Sequence, residues 1–287
     1  MKQIREKIVE RIFFLSASIS ALATVSFFVF LFFFGLPLFA GGRFFDVLTR
    51  PWAPHLGAFG IYPMIVGTLV ISSLGLAFAL PLSLGCAVLI SVTGGGKASR
   101  LVRRTVEMMT GVPTVVYGFV GIFLLVPLVR RIFAEGSGMC VLSAALMLAL
   151  LVSPTMILFF SDGFDRVPSS YGNAVLAVGG TKIQKFLYVV LPSSQREIAA
   201  GFTLSLGRAV GDTLIALMIA GNAVQVPGSV LDSARTLTSH IALVIAADYE
   251  SLEFRAIFAC GMFLYLFTTL LVLIVRIVTS RSAKRNT

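Results

Sequence analysis

The stretch "GRAVGDTLIALMIAGN", Gly207 to Asn222, decides how this chain is read. Thr213 to Ala220 reads as the interior of an apolar helix. Arg208 and Asp212 stand just upstream, and no other charge occurs from Ile198 to Leu231. Two opposite full charges four residues apart, in so apolar a run, raise the question of what solvent surrounds them.

Composition answers first. The chain has 287 residues, of which 57% are hydrophobic and 13% charged, and its mean hydropathy is +0.96. A soluble domain carries about 25% charged residues, so the supply here is half the usual. Phe occurs 25 times. This is the composition of a membrane protein. A hydrocarbon core of about 30 Å needs about 20 apolar residues in a helix, and six runs qualify: 12–39, 62–92, 108–128, 139–160, 198–224 and 256–278. The fifth holds Arg208 and Asp212. The first follows Lys2, Arg5, Lys7 and Arg11, but its apolar run is too long for a cleaved signal, and it reads as a retained signal-anchor. Pro81, Pro113 and Pro154 fall inside spans and mark kinks.

The charge pattern sets orientation. Sixteen of the 23 Lys and Arg lie on one side: before span one, at Lys97, Arg100, Arg103 and Arg104, at Arg166, Lys182, Lys185 and Arg196, and at Arg276, Arg281, Lys284 and Arg285. Six lie opposite: Arg43, Arg50, Arg130, Arg131, Arg235 and Arg255. The excess places both termini (1–11 and 279–287) and the 161–197 loop in the cytoplasm. The net charge of +10 is thus a topology signal and no nucleic-acid footprint. Cys86, Cys140 and Cys260 lie in apolar runs without metal-ligand spacing, and His55 and His240 are single residues in loop-like segments, so neither metal nor cofactor is expected. "GGGKAS", Gly94 to Ser99, looks like the end of a phosphate-binding loop, but Ser91 and Ala98 break the pattern. Any ATPase must be another chain.

The 161–197 loop reads as folded. Pro168 and Ser169 start a helix that Gly179-Gly180 ends, and Thr181 caps a second. Ile183, Phe186, Leu187 and Val190 fall on one face of it, Pro192 stops it, and Ser194 to Glu197 form a capping box for span five. A helix-turn-helix of this kind either lies on the membrane surface or docks in a partner's groove.

This loop resembles the cytoplasmic motif of bacterial ABC-importer permeases: EAA, three residues, Gly, nine residues, then I-x-L-P. Asn173, Ala174 and Val175 stand at EAA, Gly179 at the glycine, and Leu191-Pro192 at the end; Asn173 replaces the usual glutamate. "WAPHLGAFGIYPMIVGTLVIS" (Trp52 to Ser72), "GVPTVVYGFVG" (Gly111 to Gly121), the opening stretch and "RTLTSHIA" (Arg235 to Ala242) resemble segments of phosphate-uptake permeases of PstC type, in order and spacing. Asp212 stands where that family usually has glutamate. The resemblance implies an all-α, six-span permease of the type I ABC-importer fold, located in the bacterial inner membrane. It implies a second related permease, two cytoplasmic ATPases and an external phosphate-binding protein as partners, beside membrane lipid. It also implies docking to the ATPase through Asn173, Ala174, Val175, Gly179, Leu191 and Pro192.

A central Arg or Asp costs about 2.5–3.5 kcal/mol on insertion scales. Positions i and i+4 share a helix face, so Arg208 and Asp212 can pair, either as an interhelical lock or as the lining of a solute path. A guanidinium fork suits a tetrahedral oxyanion, and a nearby Asp keeps it from holding the anion too tightly. Thr213, Tyr117 and Thr114 are further path candidates, with ordinary packing as their alternative. The reading is a phosphate permease without chemistry of its own. Sulfate, molybdate or tungstate is an alternative cargo, and a stand-alone secondary transporter or a membrane sensor is an alternative class.

Overall fold

The computed structural model describes residues 2–39, 44–92, 96–246 and 251–285. The apolar runs fold as helices, because a backbone in hydrocarbon must satisfy its own polar groups. In chain order, α1 (Lys2–Phe39) and α2 (Phe44–Thr49) precede a small antiparallel hairpin, β1 (Trp52–Ala53) and β2 (Ala58–Phe59), which pairs Trp52 with Phe59. Then come α3 (Tyr62–Ser91), α4 (Lys97–Thr110), α5 (Thr114–Val120), a π-helical turn (Gly121–Leu125), α6 (Val126–Phe133) and α7 (Val141–Asp165). The loop region holds α8 (Ser169–Ala177), α9 (Lys182–Lys185), a second π-helical turn (Phe186–Val190) and α10 (Leu191–Ser193). The chain continues with α11 (Gln195–Gly211), α12 (Leu214–Ile219), α13 (Leu237–Val244) and α14 (Leu252–Arg285).

Helix α7 is the axis of the bundle. Phe160, Leu148, Leu151 and Met156 on it are fully buried, between α3 on one side and α11 on the other. Lipid offers no hydrophobic force to drive helices together, so close packing of small residues does that work. A Cβ added to Gly201 of α11 would stand 2.7 Å from Cβ of Phe159, and one added to Gly75 of α3 would stand 3.2 Å from the Ala145 carbonyl oxygen. Serine hydroxyls stitch the same seams: Ser83 donates to the Ser153 carbonyl at 3.4 Å, and Ser205 to the Val152 carbonyl at 3.4 Å. Helix α1 packs against α14 and leaves Phe13, Phe14 and Phe33 outward, as a lipid-facing helix does. At one end of α7, Arg103 of α4 donates to Asp165 at 3.0 Å and to Asp162 at 3.1 Å, and these bonds raise its pKa further.

Two expected spans change shape. The third does not run 108–128. Met108 to Thr110 close the amphipathic α4, the chain breaks at Gly111–Pro113, and the apolar helix runs from Thr114 to Phe133. Pro113 has no N–H to give and disfavours a helical Val112, so it starts α5 instead of kinking a span. Arg130 and Arg131 then fall in the last turn of α6, where cations suit the helix dipole. The fifth span, 198–224, is interrupted at Asp212–Thr213, so it is not one continuous helix. Among the described residues five helices are long and apolar enough to cross a membrane, namely 6–37, 62–91, 114–133, 141–165 and 252–277. The α11–α12 pair, broken at Asp212, is not among them. Residues 94 and 95 of "GGGKAS", and Arg43, lie outside the described residues.

Candidate functional site

The opening stretch is a helix break. Helix α11 ends at Gly211, and Asp212 is extended, at φ −69 and ψ 131. Its carboxylate turns back onto α12 and accepts from the Ile215 N–H at 2.9 Å. This is an N-cap: the first amides of a helix lack partners, and an acidic side chain satisfies one of them and faces the positive dipole end. Two residues on one continuous helix face would form an i, i+4 ion pair. The break removes that geometry, and no ion pair within 4.0 Å joins Arg208 to any carboxylate among the described residues. The expected pair is thus a capped carboxylate beside a guanidinium without a salt bridge.

Arg208 is half-buried, and beside it a Cβ at Gly207 or at Gly211 would meet nothing within 4 Å. Leu204, on the same side of α11, is 53% exposed. The adjoining flank of the helix is filled, with Gly201 and Ser205 against α7. The guanidinium therefore stands at the edge of an open face. It is within electrostatic range of the Asp212 carboxylate and of the Tyr117 hydroxyl.

Tyr117 is brought to this place by close contact of α5 with α12. A Cβ at Gly118 would meet the Met218 sulfur, and one at Gly121 the Ile219 Cδ1, so the two glycines leave room for these side-chain ends between the helices. The Tyr117 hydroxyl donates to the Met109 carbonyl at 3.2 Å and bridges the Gly111–Pro113 break. Thr213 and Thr114 are half-buried; the Thr213 carbonyl accepts from Leu217 N–H at 2.9 Å inside α12. Tyr117, Arg208, Asp212 and Thr213 thus share one region, and Thr114 lies one turn from Tyr117.

The far end of α12 carries a polar cluster. Gly221 and Asn222 adopt left-handed backbone, at φ 83 and φ 59. The Asn222 side-chain amide donates to the Leu217 carbonyl at 2.6 Å, and a carbonyl partner fixes which amide atom is nitrogen. Asn222 N–H donates to the Ala234 carbonyl at 3.1 Å, which lays Arg235 alongside. Arg235 Nε donates to the Asn222 carbonyl at 3.0 Å, and Nη1 lies 3.4 Å from Nδ1 of His240. His240 is not in a loop: it sits inside α13, fully buried, with its ring against Trp52 at 4.3 Å. Burial and the adjacent Arg235 hold it neutral, its pKa lowered to about 3. A neutral ring whose Nδ1 faces a guanidinium accepts there and carries its proton on Nε2. Helix α13 is tied down by the Thr236–Ser239 capping box, by Leu237 N–H to Thr68 Oγ1 at 2.9 Å, and by Thr238 Oγ1 to the Asp212 carbonyl at 2.6 Å. The motif "RTLTSHIA" marked this segment in sequence, but no spacing rule joins Arg235 to Asn222.

At the other end, α8 ends as expected, with Gly179 left-handed at φ 84. Thr181 and Gln184 form a capping box. Asn173 and Ala174 are exposed, Val175 carries the turn by accepting from Gly180 N–H at 2.9 Å, and Leu191 and Pro192 are half-buried. Pro192 does not stop the second helix. A π-helical turn over Phe186–Val190 absorbs it, and the chain runs on through α10. Ser194 does not cap α11 with its side chain; its hydroxyl donates to the Gly163 carbonyl at 3.0 Å and joins this loop to α7. The expected apolar face divides: Phe186 and Val190 pack inward, while Ile183 and Leu187 are exposed with Val178 and Tyr188.

Known proteins of this shape and sequence transport solutes. The chain is 28% identical over 254 residues to the phosphate transport system permease protein PstC of Pasteurella multocida, covering 82% of this chain and 79% of that one. It is 28% identical over 224 residues to the probable ABC transporter permease protein YqgH of Bacillus subtilis, covering 78% and 72%. Its fold matches a bacterial alginate ABC transporter in complex with an alginate pentasaccharide-bound periplasmic protein, with TM-score 0.64 at 13% identity over 96% of each chain. It also matches an inward-facing form of the MetNI methionine ABC transporter, with TM-score 0.57 at 19% identity over 77% and 93%. The model of the binding-protein-dependent transport system inner membrane component family matches residues 79–284. The chain belongs to that family: it is a multi-pass permease subunit of an ABC importer, with no enzymatic chemistry of its own.

Proposed function

We propose that this permease carries inorganic phosphate, with Arg208 as the counter-charge in its path. The observation that carries the reading is a guanidinium without a salt bridge, at the edge of an open helix face inside an apolar bundle. A charge so placed is costly unless it serves a cavity or a partner. A planar fork of donors matches two oxygens of a tetrahedral oxyanion. Asp212 tempers the attraction through its own negative charge while its oxygens cap α12. Tyr117, Thr213 and Thr114 line the same path. The PstC relatives favour phosphate over other oxyanions.

The open face beside Gly207 and Gly211 is where a second, related permease completes the path. Two cytoplasmic ATPases dock on Asn173, Ala174, Val175, Gly179, Leu191 and Pro192, and an external phosphate-binding protein delivers the cargo at the opposite end. Both termini are cytoplasmic in this arrangement, by the distribution of Lys and Arg. The test is ATP hydrolysis by the reconstituted complex. Phosphate-loaded binding protein stimulates it, and sulfate, molybdate and tungstate do not. Stimulation by one of those instead of phosphate reassigns the cargo.

A further inference from the structure

We propose that a crevice between α3 and α14 holds an acyl chain of an anionic phospholipid, from the leaflet on the side of the 161–197 loop. The proposal rests on the reading that puts this loop in the cytoplasm, which fixes the leaflet and not the site.

Helices α3 and α14 both pack on α11, which forms the floor of the crevice. Two cavities of about 460 and 470 Å³ adjoin there, and Leu80, Phe202 and Val275 line both. One end reaches Leu69 and Leu206, and the other reaches Pro192 and Gln195. Along α11, from Gln195 to Leu206, this is about 16 Å at 1.5 Å per residue. A hydrocarbon core is about 30 Å thick, so the crevice is as deep as one leaflet. Its two serines present no hydroxyl to a ligand: Ser72 donates to the Thr68 carbonyl at 2.6 Å, and Ser73 to the Val70 carbonyl at 3.2 Å.

Such a space inside hydrocarbon is filled, because an empty one forfeits the dispersion contacts of its walls and water finds no partners in it. A partner's helix and a lipid chain are the two candidates. Size decides between them. A helix about 16 Å long and about 10 Å across fills about 1,250 Å³, more than both cavities together. It would stand proud of the crevice and leave the floor bare, whereas a chain one methylene wide reaches it. Position decides the same way. At 3.6 residues per turn, Leu204 and Arg208 stand about 200° round α11 from Phe202 and Leu206. The face read as meeting the second permease is therefore the opposite one.

Charge names the headgroup. Gln195 lies at the mouth of the crevice, and the exposed Arg196 follows it. No carboxylate lies within 4.0 Å of Arg196 among the described residues. Its neighbour Glu197 is turned to α7, where a Cβ at Gly163 would meet it. On the other wall the exposed Arg276 follows Val275, and no Asp or Glu occurs in the chain after Glu253. Basic residues at the cytoplasmic end of membrane helices draw anionic headgroups. Leu191 and Pro192 also line the mouth, so the bound chain packs against the return of the 161–197 loop.

The experiment uses the full complex in liposomes of phosphatidylethanolamine with a minority of phosphatidylglycerol. A photoreactive p-benzoylphenylalanine replaces Leu271, inside the crevice, or Leu22 of α1, which is 68% exposed and faces bulk lipid. After irradiation, mass spectrometry identifies the adducts. Phosphatidylglycerol is expected to be enriched at Leu271 about five-fold over Leu22. Arg196→Gln is expected to remove most of that enrichment, and Arg196→Lys to keep it. Ala77→Trp fills the crevice from α3 without changing charge, and is expected to abolish lipid adducts at Leu271 in complex that still assembles. Adducts in the same lipid proportions at Leu271 and Leu22 overturn the proposal, and so does an adduct to a peptide of another subunit. Enrichment unchanged in Arg196→Gln overturns it as well. The readout needs no transport, so a failure of phosphate to stimulate ATP hydrolysis leaves it standing. Labelling of a cysteine at Ser282 from the binding-protein side would reverse the orientation and overturn the leaflet, with the adducts themselves unchanged.

Discussion

Asp212 has two duties that a pair of substitutions separates. Its carboxylate caps α12 through the Ile215 amide at 2.9 Å, and its charge lies within range of Arg208. Asn keeps an acceptor oxygen and is as good an N-cap as Asp; Ala keeps none. Losing such a cap costs about 1 kcal/mol, within a range of about 0.5–2. Helix α12 has six residues, so it has little else of its own to hold that first turn. A cost of about 1 kcal/mol is about a five-fold rise in the population of the opened turn at room temperature. Hydrogen exchange by mass spectrometry on peptides covering 212–220, in the assembled complex, reads that population. Asp212→Ala is expected to speed exchange about five-fold, and Asp212→Asn to leave it within about two-fold. In uptake assays Asp212→Asn is expected to slow turnover, because an untempered Arg208 releases the anion late, while Asp212→Glu transports. If Asp212→Asn loosens α12 as much as Asp212→Ala, the charge and not the cap holds the break, and the division of duties is wrong.

Other consequences reach the rest of the chain. Gly179 is left-handed at φ 84 in the turn between α8 and α9, so Gly179→Pro, or a charge at exposed Ala174, is expected to uncouple ATP hydrolysis from uptake while the subunit still inserts; normal coupled uptake would count against docking there. His240 is held neutral with its pKa lowered to about 3, so between that value and the ordinary imidazole pKa near 6.5 the unfolded chain binds the extra proton. Stability therefore falls as pH drops through that window, by about 2 kcal/mol from pH 7.5 to pH 5. Thermal inactivation of the complex at the two pH values checks this, and His240→Gln should flatten the difference. A cysteine at Ser282 is expected to resist an impermeant thiol reagent from the binding-protein side; labelling there would reverse the orientation.

The bundle was legible because its signal is coarse. Long apolar runs from Tyr62, Met139 and Ala256 announce helices whatever surrounds them. The boundaries were less legible where one proline decides between a kink and a break. Pro113 and Pro154 look alike in sequence. Pro154 sits within α7, gripped by α3 and α11, whereas Pro113 stands at the start of α5, two residues after Gly111. The break at Asp212 was hidden for a related reason. Apolar periodicity runs through it, and only the capping of Ile215 shows that Asp212 ends one helix and begins another. Arg208 was marked by being a charge in hydrocarbon. Arg235 was marked only as part of a motif, because its meaning depends on Asn222, His240 and Trp52, which the chain brings together from remote positions. Ser194 illustrates the same limit: local sequence offers a capping box, and the hydroxyl is instead shared between the Val190 carbonyl and a carbonyl 31 residues away at Gly163.

The central claim is that Arg208 serves the anion and not the assembly. Uptake of radiolabelled phosphate by liposomes holding the complete complex, with the amount of assembled complex measured in the same preparation, tests it most directly. Arg208→Gln should assemble like the natural protein and lose uptake, since a dehydrated oxyanion then meets no counter-charge. Arg208→Lys should recover part of the uptake, since a point charge lacks the fork. Wild-type uptake in Arg208→Gln, or loss of assembled complex in parallel with uptake, would contradict the account.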